Sequence, residues 1–335
     1  MSSGRDGSLR GRRVLVTGAA GFIGSHLCER LLAAGAELRA FVRYHSRGEL
    51  GWLDELPAER LAAVEIVRGD LRDPDAVHQA VSDREIVFHL GALIAIPYSY
   101  QHPHDFVQTN VVGTAHLLDA CRRAGVARLV HTSTSEVFGS ARRVPIDESH
   151  PRAGQSPYAA SKIAADALAE SYHRSFGLPA VILRPFNTYG PRQSARAVIP
   201  AIASQCLAGR EVKLGSLHPT RDLTFVDDTV EAFLCAAGAP GIEGREYNLG
   251  SGREISVGDL AHLLIEMTGG KSQLVADAAR VRPEKSEVER LCSDNRRARE
   301  ELGWSPRLRL EEGLARTLAW IEQNLSQFRI GSYET

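Results

Sequence analysis

The stretch Arg13-Val14-Leu15-Val16-Thr17-Gly18-Ala19-Ala20-Gly21-Phe22-Ile23-Gly24 decides the fold. A short, partly β-branched apolar run reads as a buried strand, and an amphipathic run opens directly behind the three evenly spaced glycines. In that context one glycine makes a tight turn, one lets backbone approach a pyrophosphate, and one lets helix pack on strand. The helix start at Phe22 and Ile23 then offers free N–H groups and partial positive charge to phosphates. Gly18, Gly21, Phe22, Ile23 and Gly24 are therefore candidates for holding a dinucleotide; a glycine turn with a purely structural role is the alternative.

Outward from this turn, apolar runs alternate with longer amphipathic ones from residue 12 to about residue 185, the pattern of β-α-β units around a parallel sheet. Strands are expected at 13–17, 37–42, 64–68, 86–90, 129–132 and 180–184, and helices at 22–34, 105–124 and 157–176. The last helix has Pro157 in its first turn, with Gly177 and Pro179 as stop signals. This is an α/β chain with a doubly wound parallel sheet, a Rossmann-like architecture. Beyond Pro185 the alternation is irregular, with helices expected at 198–208, 227–236, 257–268 and 310–324 and a strand around Phe225. We expect residues 12–185 to form a dinucleotide-binding domain, with segments around 216–238 returning to it. Residues 186–325 would form mainly a smaller mixed α/β substrate lobe, and 1–11 and 326–335 flexible tails.

Composition narrows the partners. The chain has 335 residues, 43% of them apolar, and 40 basic against 41 acidic side chains leave a net charge of -1. Without a basic stripe, nucleic acid and anionic membrane are not expected partners. A polar N-terminus and the lack of any apolar stretch of about 20 residues point to a cytoplasmic location. Cys28, Cys121, Cys206, Cys235 and Cys292 are scattered and odd in number, so they read as reduced and mostly buried. His102 and His104 flank Pro103 with no further ligand nearby, which favours a loop over a metal site; no metal is expected.

Other residues carry chemistry. Tyr158 and Lys162 stand four apart, hence on one helical face, so the ammonium is expected to favour the ionised phenol and make Tyr158 a usable base. Taken alone, the pair would read sooner as an ordinary half-exposed one; the glycine turn earlier in the chain reverses that. The second strand ends in Ala40-Phe41-Val42-Arg43-Tyr44, with no carboxylate for an adenosine ribose. Arg43 could pair with a 2′-phosphate, a lean toward NADP over NAD, or simply be exposed at a strand end. Asp70 is placed either to accept from an adenine amino group or to cap the helix that follows.

The ordered motifs Gly-x-x-Gly-x-x-Gly, Gly69-Asp70-Leu71, His89-Leu90-Gly91-Ala92, Asn110-x-x-Gly113-Thr114, Thr134-Ser135-Glu136-Val137-Phe138-Gly139, Tyr158-x-x-x-Lys162 and Arg184-Pro185-Phe186-Asn187-Thr188-Tyr189-Gly190-Pro191-Arg192 resemble the extended short-chain dehydrogenase/reductases acting on nucleotide sugars. The resemblance covers about residues 12–325. It implies tightly held NAD or NADP, with Leu71, Leu90 and Ala92 among the cofactor contacts. Thr134 would bond the sugar 4-hydroxyl, Tyr158 would take its proton, hydride would pass from C4 to the nicotinamide, and Lys162 would bind the nicotinamide ribose.

Glu136 separates the subclasses. A C4 ketone acidifies the C5 proton, and a carboxylate two residues beyond Thr134 can remove it; loss of the C6 hydroxyl and return of hydride to C6 then give a 4-keto-6-deoxy sugar. Simple 4-epimerases of the family usually lack this glutamate. With Ser135 between them, Thr134 and Glu136 resemble the GDP-mannose and legionaminic-acid-pathway dehydratases and also the UDP-glucuronate decarboxylases. An exposed glutamate on a loop is the bland alternative. Residues 41–46, 51–54 and 92–100 look most like dehydratases of N-acetylhexosamine nucleotides, with Tyr98 and Ser99 as sugar contacts; for Ile94, Ile96 and Pro97, packing against the end of the sheet is the alternative. The resemblance nominates Asn187, Arg192, Arg221 and Arg282 for the diphosphate, where a planar guanidinium suits phosphate oxygens.

The expected activity is a nucleotide-sugar 4,6-dehydratase using UDP- or GDP-N-acetylglucosamine. A UDP-glucuronate decarboxylase, a 4-epimerase, or a non-catalytic sugar-nucleotide-binding relative are the alternatives; intact Thr134, Tyr158 and Lys162 speak against the last. Helices 105–124 and 157–176 resemble those that pair as a four-helix bundle in related homodimers.

Overall fold

The computed structural model describes residues 9–328 and 330, apart from 210 and 282. Seven parallel strands form the main sheet, with β1 (Arg13–Thr17) between β2 (Glu37–Val42) and β4 (Ile86–His89). β3 (Glu65–Arg68) lies outside β2 at one edge; β5 (Arg128–Thr132) and β6 (Ala180–Pro185) extend the other side. The order reverses at β1, and the crevice at such a reversal is where open α/β sheets bind ligands.

Alternation along each strand clothes both faces. Val14 and Val16 meet Leu27 and Leu31 of α1 (Phe22–Ala33), whereas Leu15 and Val87 meet Leu117, Leu118 and Ala169 on the opposite side. The short helix α2 (Pro74–Val81) was not expected, although Asp73 caps it by accepting from Asp75 and Ala76 N–H groups and Pro74 opens it. Asp70 therefore does not cap that helix.

Residues expected to form one helix over 105–124 form three parts: a turn at Pro103–Phe106, a π-helical segment at Val107–Val112, and α3 (Gly113–Ala124). Asn110 sits in the widened turn, where its amide accepts from Leu93 N at 2.8 Å and donates to Leu93 O and Ser161 Oγ, each at 2.9 Å. The following α4 (Pro157–Phe176) starts with Ser156 accepting from Ala159 N and ends at Gly177, φ 68°.

In the smaller part, β7 (Asn187–Tyr189), β9 (Thr220–Phe225) and β11 (Glu254–Ser256) form one sheet and β8 (Val212–Leu214) pairs with β12 (Leu274–Ala276). Helices α5 (Val198–Leu207), α7 (Val257–Met267) and α9 (Leu310–Gln323) cover them, whereas α8 (Arg296–Leu302) packs against the edge of the main sheet. Thr220–Phe225 thus belongs to the smaller sheet. Helix α6 (Val226–Gly238) and β10 (Glu246–Leu249) return, β10 pairing with β6 at the edge of the main sheet. One apolar cluster runs from Val14 and Phe233 through Ile199 and Leu264 to Ile321.

Candidate active site

The glycine turn is built so tightly that side chains cannot enter it. Gly18 has φ 70°, and a Cβ there would lie 2.8 Å from Gly91 N; a Cβ on Gly24 would lie 2.2 Å from Gly18 O. Beside it a cavity of about 180 Å³ is lined by Gly18, Arg43, Asp70, Leu71 and Ala92, at the carboxyl ends of β1 and its neighbours. Gly21 caps α1 in extended conformation with Phe22 and Ile23 in the first turn, and Leu90 anchors the wall by donating its N–H to Thr17 O at 3.2 Å. This cradle of bare backbone, helix N-terminus and narrow cleft fits a dinucleotide. The Asp70 carboxylate is held by Arg72, whose Nε and Nη2 donate at 2.9 and 2.7 Å, and that pairing keeps it below the usual carboxylate range despite partial burial.

A second cavity of about 390 Å³ opens beyond β5, with Glu136, Asn187, Arg196, Arg221, Arg280 and Glu287 in its walls. Thr134 ends an extended stretch after β5 and its hydroxyl accepts from Glu136 N at 3.3 Å, which starts the 3-10 turn Ser135–Phe138. Tyr158, in the first turn of α4, hydrogen-bonds Thr134, and Phe106 packs edge-on against its ring at 6.2 Å. Ser135 is buried in the turn between Thr134 and Glu136. The structure thus brings Thr134, Ser135, Glu136, Tyr158 and Lys162 to the junction of β5 and α4, and of these five Glu136 lines the cavity.

The electrostatics differ from the expected ionised phenol. Burial pushes the Tyr158 pKa up, Thr134 offsets part of this, and the nearby Glu136 and Asp166 charges push it further up, so the phenol holds its proton here. Lys162 bears the burial as well: its pKa is lowered to about 8, with Asp166 acting to hold it up. Asp166 went unnoticed in the sequence; its signal is the same four-residue step beyond Lys162.

Three expected contacts fall elsewhere. Ser99 is fully buried and donates to Ile96 O at 2.7 Å, and Tyr98 donates to Asp105 Oδ2 at 3.2 Å while stacking on His102. The short helix Ile96–Gln101 turns those two away, and Ile94, Ala95, Ile96 and Pro97 face the cavity in their place. Arg192, at φ 67°, points away from the cavity: its Nη2 reaches Glu29 of α1 at 2.8 Å and its Nε reaches Glu55, at the end of the turn Gly51–Glu55, at 3.4 Å; two carboxylates outcompete the cavity for it. Arg282 lies outside the described residues. Arg221 is nearly buried on the cavity wall, with Nη1 donating to Val288 O at 2.8 Å and Nη2 to Glu287 Oε1 at 3.2 Å. Among the described residues, the buried Nδ2 of Asn187 finds no acceptor, a donor left for a ligand.

Residues 15–317 match the family model described as GDP-mannose 4,6 dehydratase. A UDP-glucose 4-epimerase of Mycolicibacterium smegmatis is 38% identical over 94% of this chain and 100% of its own. A dTDP-glucose 4,6-dehydratase of Streptomyces antibioticus is 37% identical over 93% of this chain and 92% of its own. The crystal structure of a dTDP-glucose 4,6-dehydratase from Streptomyces venezuelae with NAD bound superposes with a TM-score of 0.83 at 33% identity, covering 95% of this chain and 99% of that one. Among the described residues no helix is long and apolar enough to cross a membrane. The chain belongs to the family of NAD-dependent nucleotide-sugar dehydratases and epimerases.

Proposed function

We propose that this protein is a nucleotide-sugar 4,6-dehydratase. Dehydratases and epimerases resemble the chain about equally, so the reading rests on one observation: Glu136 lies in the cavity wall, close enough to Tyr158 for its charge to act on the phenol. That provides two acid/base groups where 4-epimerisation needs one. Thr134 binds the 4-hydroxyl, Tyr158 takes its proton, and Lys162 stabilises the phenolate while that proton is away. Held against the glycine turn of Gly18, Gly21 and Gly24, the nicotinamide cofactor would supply the hydride acceptor at C4 and the donor at C6, and its positive charge would favour the phenolate that burial disfavours. Glu136 takes the C5 proton and returns it to the departing C6 hydroxyl as water; once hydride has reached C6, C5 takes a proton from solvent by way of Glu136, and Tyr158 releases the 4-hydroxyl proton to solvent.

Asn187 Nδ2, Arg221 and, by resemblance, Arg282 bind the diphosphate. Arg221 is already paired with Glu287 on the cavity wall. The likeness of residues 41–46, 51–54 and 92–100 favours UDP- or GDP-N-acetylglucosamine. Arg43 lines the cofactor cavity while Asp70 is occupied by Arg72, which supports acceptance of a 2′-phosphate; direct comparison of NADP and NAD binding tests it. The reading includes a cytoplasmic homodimer through α3 and α4, and a monomer by light scattering would remove the dimer.

The decisive experiment incubates the protein with UDP- and GDP-sugars, including N-acetylglucosamine and glucuronate forms, and weighs the products. Loss of water supports the proposal. Loss of carbon dioxide makes the protein a decarboxylase, an epimer of unchanged mass makes it an epimerase, and cofactor that never changes redox state makes it a binder.

A further inference from the structure

A charged network lies beneath Tyr158 and Lys162, outside the lining of both cavities. Its centre is Asp166, fully buried on α4, four residues beyond Lys162 and eight beyond Tyr158 and therefore on their face of the helix. One carboxylate oxygen accepts from Ser133 Oγ at 2.6 Å and from Arg184 Nη2 at 3.1 Å; the other lies 3.2 Å from His131 Nε2. Ser133 immediately precedes Thr134, so this bond joins the end of β5 to the helix carrying Tyr158. Few contacts could fix the Thr134–Tyr158 relation more directly.

The other groups around Asp166 leave it a particular electrostatic duty. On β6, Arg184 is shared with Glu246 Oε2 at 2.8 Å and lies over the Phe138 ring at 5.0 Å. Glu246, on β10, also takes Arg152, which meets Glu170 of α4. His131 on β5 is kept neutral, by burial first and then by the Lys162 charge; His89 on β4, held by Thr17 Oγ1 at 2.8 Å and Thr114 Oγ1 at 3.1 Å, is kept neutral by burial, His131 and Lys162. From the cavity side Glu136 acts on Tyr158. Asp166 is thus the anion placed to offset burial of the Lys162 ammonium, and its own carboxyl, despite burial, is held well below the usual range by His131, Arg184 and Lys162. Removing one member of such a buried set leaves a charge uncompensated.

We propose that Asp166 is the positioning residue of this site, its carboxylate tethering Thr134 to the Tyr158 helix through Ser133 while keeping Lys162 charged. The proposal rests on the acid/base reading of Tyr158 and Lys162 for its turnover arm alone. Without the Asp166 charge, Lys162 faces burial unassisted, and it loses its proton at lower pH.

The chain's lysines are Lys162, Lys213, Lys271 and Lys285, few enough to follow singly by NMR of protein labelled at lysine Cε, purified with its cofactor. Lys162→Met identifies the buried signal. Asp166→Asn should move the Lys162 midpoint down by about one pH unit or more and lower kcat by roughly tenfold or more, with KM within about threefold. Ser133→Ala should leave that midpoint in place and still lower kcat, because it cuts the tether and spares the charge. A folded Asp166→Asn protein whose Lys162 titrates as in the parent overturns the charge role, and full kcat in Ser133→Ala overturns the tether. Should Asp166→Asn fail to fold, Ser133→Ala decides. Absence of turnover by the parent with every sugar nucleotide would defeat the functional reading instead, while the lysine titration still judges Asp166.

Discussion

The two sides of the candidate active site are built by different means. The inner one, with Thr134, Tyr158 and Lys162 behind the cavity-lining Glu136, hangs on β5 and on the 20-residue helix α4, capped at both ends. The outer wall is made of short pieces: the turn around Ile94–Pro97, Arg221, and the segment near Glu287. Side chains hold those pieces together, with Gln155 Nε2 donating to Lys285 O at 3.0 Å, Ser286 Oγ donating to Gln155 O at 2.7 Å, and the Tyr100 and Ser286 hydroxyls 2.6 Å apart. On a long capped helix, sequence spacing dictates which residues share a face; on a six-residue helix, neighbouring contacts decide, and a shift of one position exchanges lining for core.

If backbone closeness governs the inner side, its largest effect lies at the glycine turn. Gly24→Ala would drive a Cβ to 2.2 Å from Gly18 O, against backbone that cannot rotate away, whereas Gly21→Ala meets only Gly18 O at 3.2 Å. We expect Gly24→Ala to destabilise the protein by about 3 kcal/mol or more and to abolish cofactor retention, and Gly21→Ala to do much less. Equal melting temperatures and equal bound cofactor in the two would break the argument. Next in size is the acid/base pair: Tyr158→Phe should lower C4 oxidation by roughly 10²–10⁴-fold. Glu136→Gln should spare oxidation and slow exchange of the C5 hydrogen with solvent deuterium. Full turnover in either removes that residue from its role.

The same contrast explains what was legible in the sequence. Gly18, Gly21 and Gly24, the strands β1 and β2, and the Tyr158–Lys162 spacing could be read because backbone geometry demands those residue types at those intervals. From sequence, Asp70 reads as an adenine contact or a cap and Arg192 as a diphosphate ligand, without sight of their partners Arg72, Glu29 and Glu55; for Arg192 these lie more than a hundred residues away in sequence. The break of the expected helix at Val107–Val112 was hidden for the same reason: it is bound to Asn110 reaching Leu93 and Ser161. Asp166 had a readable spacing but no visible partner until His131, Ser133 and Arg184 closed around it.

On the outer wall effects should be smaller and fall on binding. Arg221→Met should raise KM by roughly 10–100-fold with kcat little changed, the range for losing hydrogen bonds to a charged ligand. A fall in kcat at unchanged KM would move Arg221 from substrate binding to catalysis. Between the walls lies the pH response of Lys162. Its lowered pKa of about 8 means the ammonium is present below that pH, so turnover should decline as pH rises through about 8, by about tenfold per unit. A profile flat to pH 10 would show that the phenol does not need that charge.

Ser99→Ala should do least. The hydroxyl is buried and donates to Ile96 O at 2.7 Å within its own helical turn, so its removal takes one local hydrogen bond worth about 1 kcal/mol and no contact to the cavity. Turnover and KM should stay within about twofold, while Ile96→Ala, three residues earlier and facing the cavity, should raise KM by more because it removes apolar surface from the wall. The comparison isolates the rotation of one short helix. If Ser99→Ala raised KM and Ile96→Ala did not, the helix would present its other face to the bound sugar, and the outer wall would have to rearrange when substrate enters.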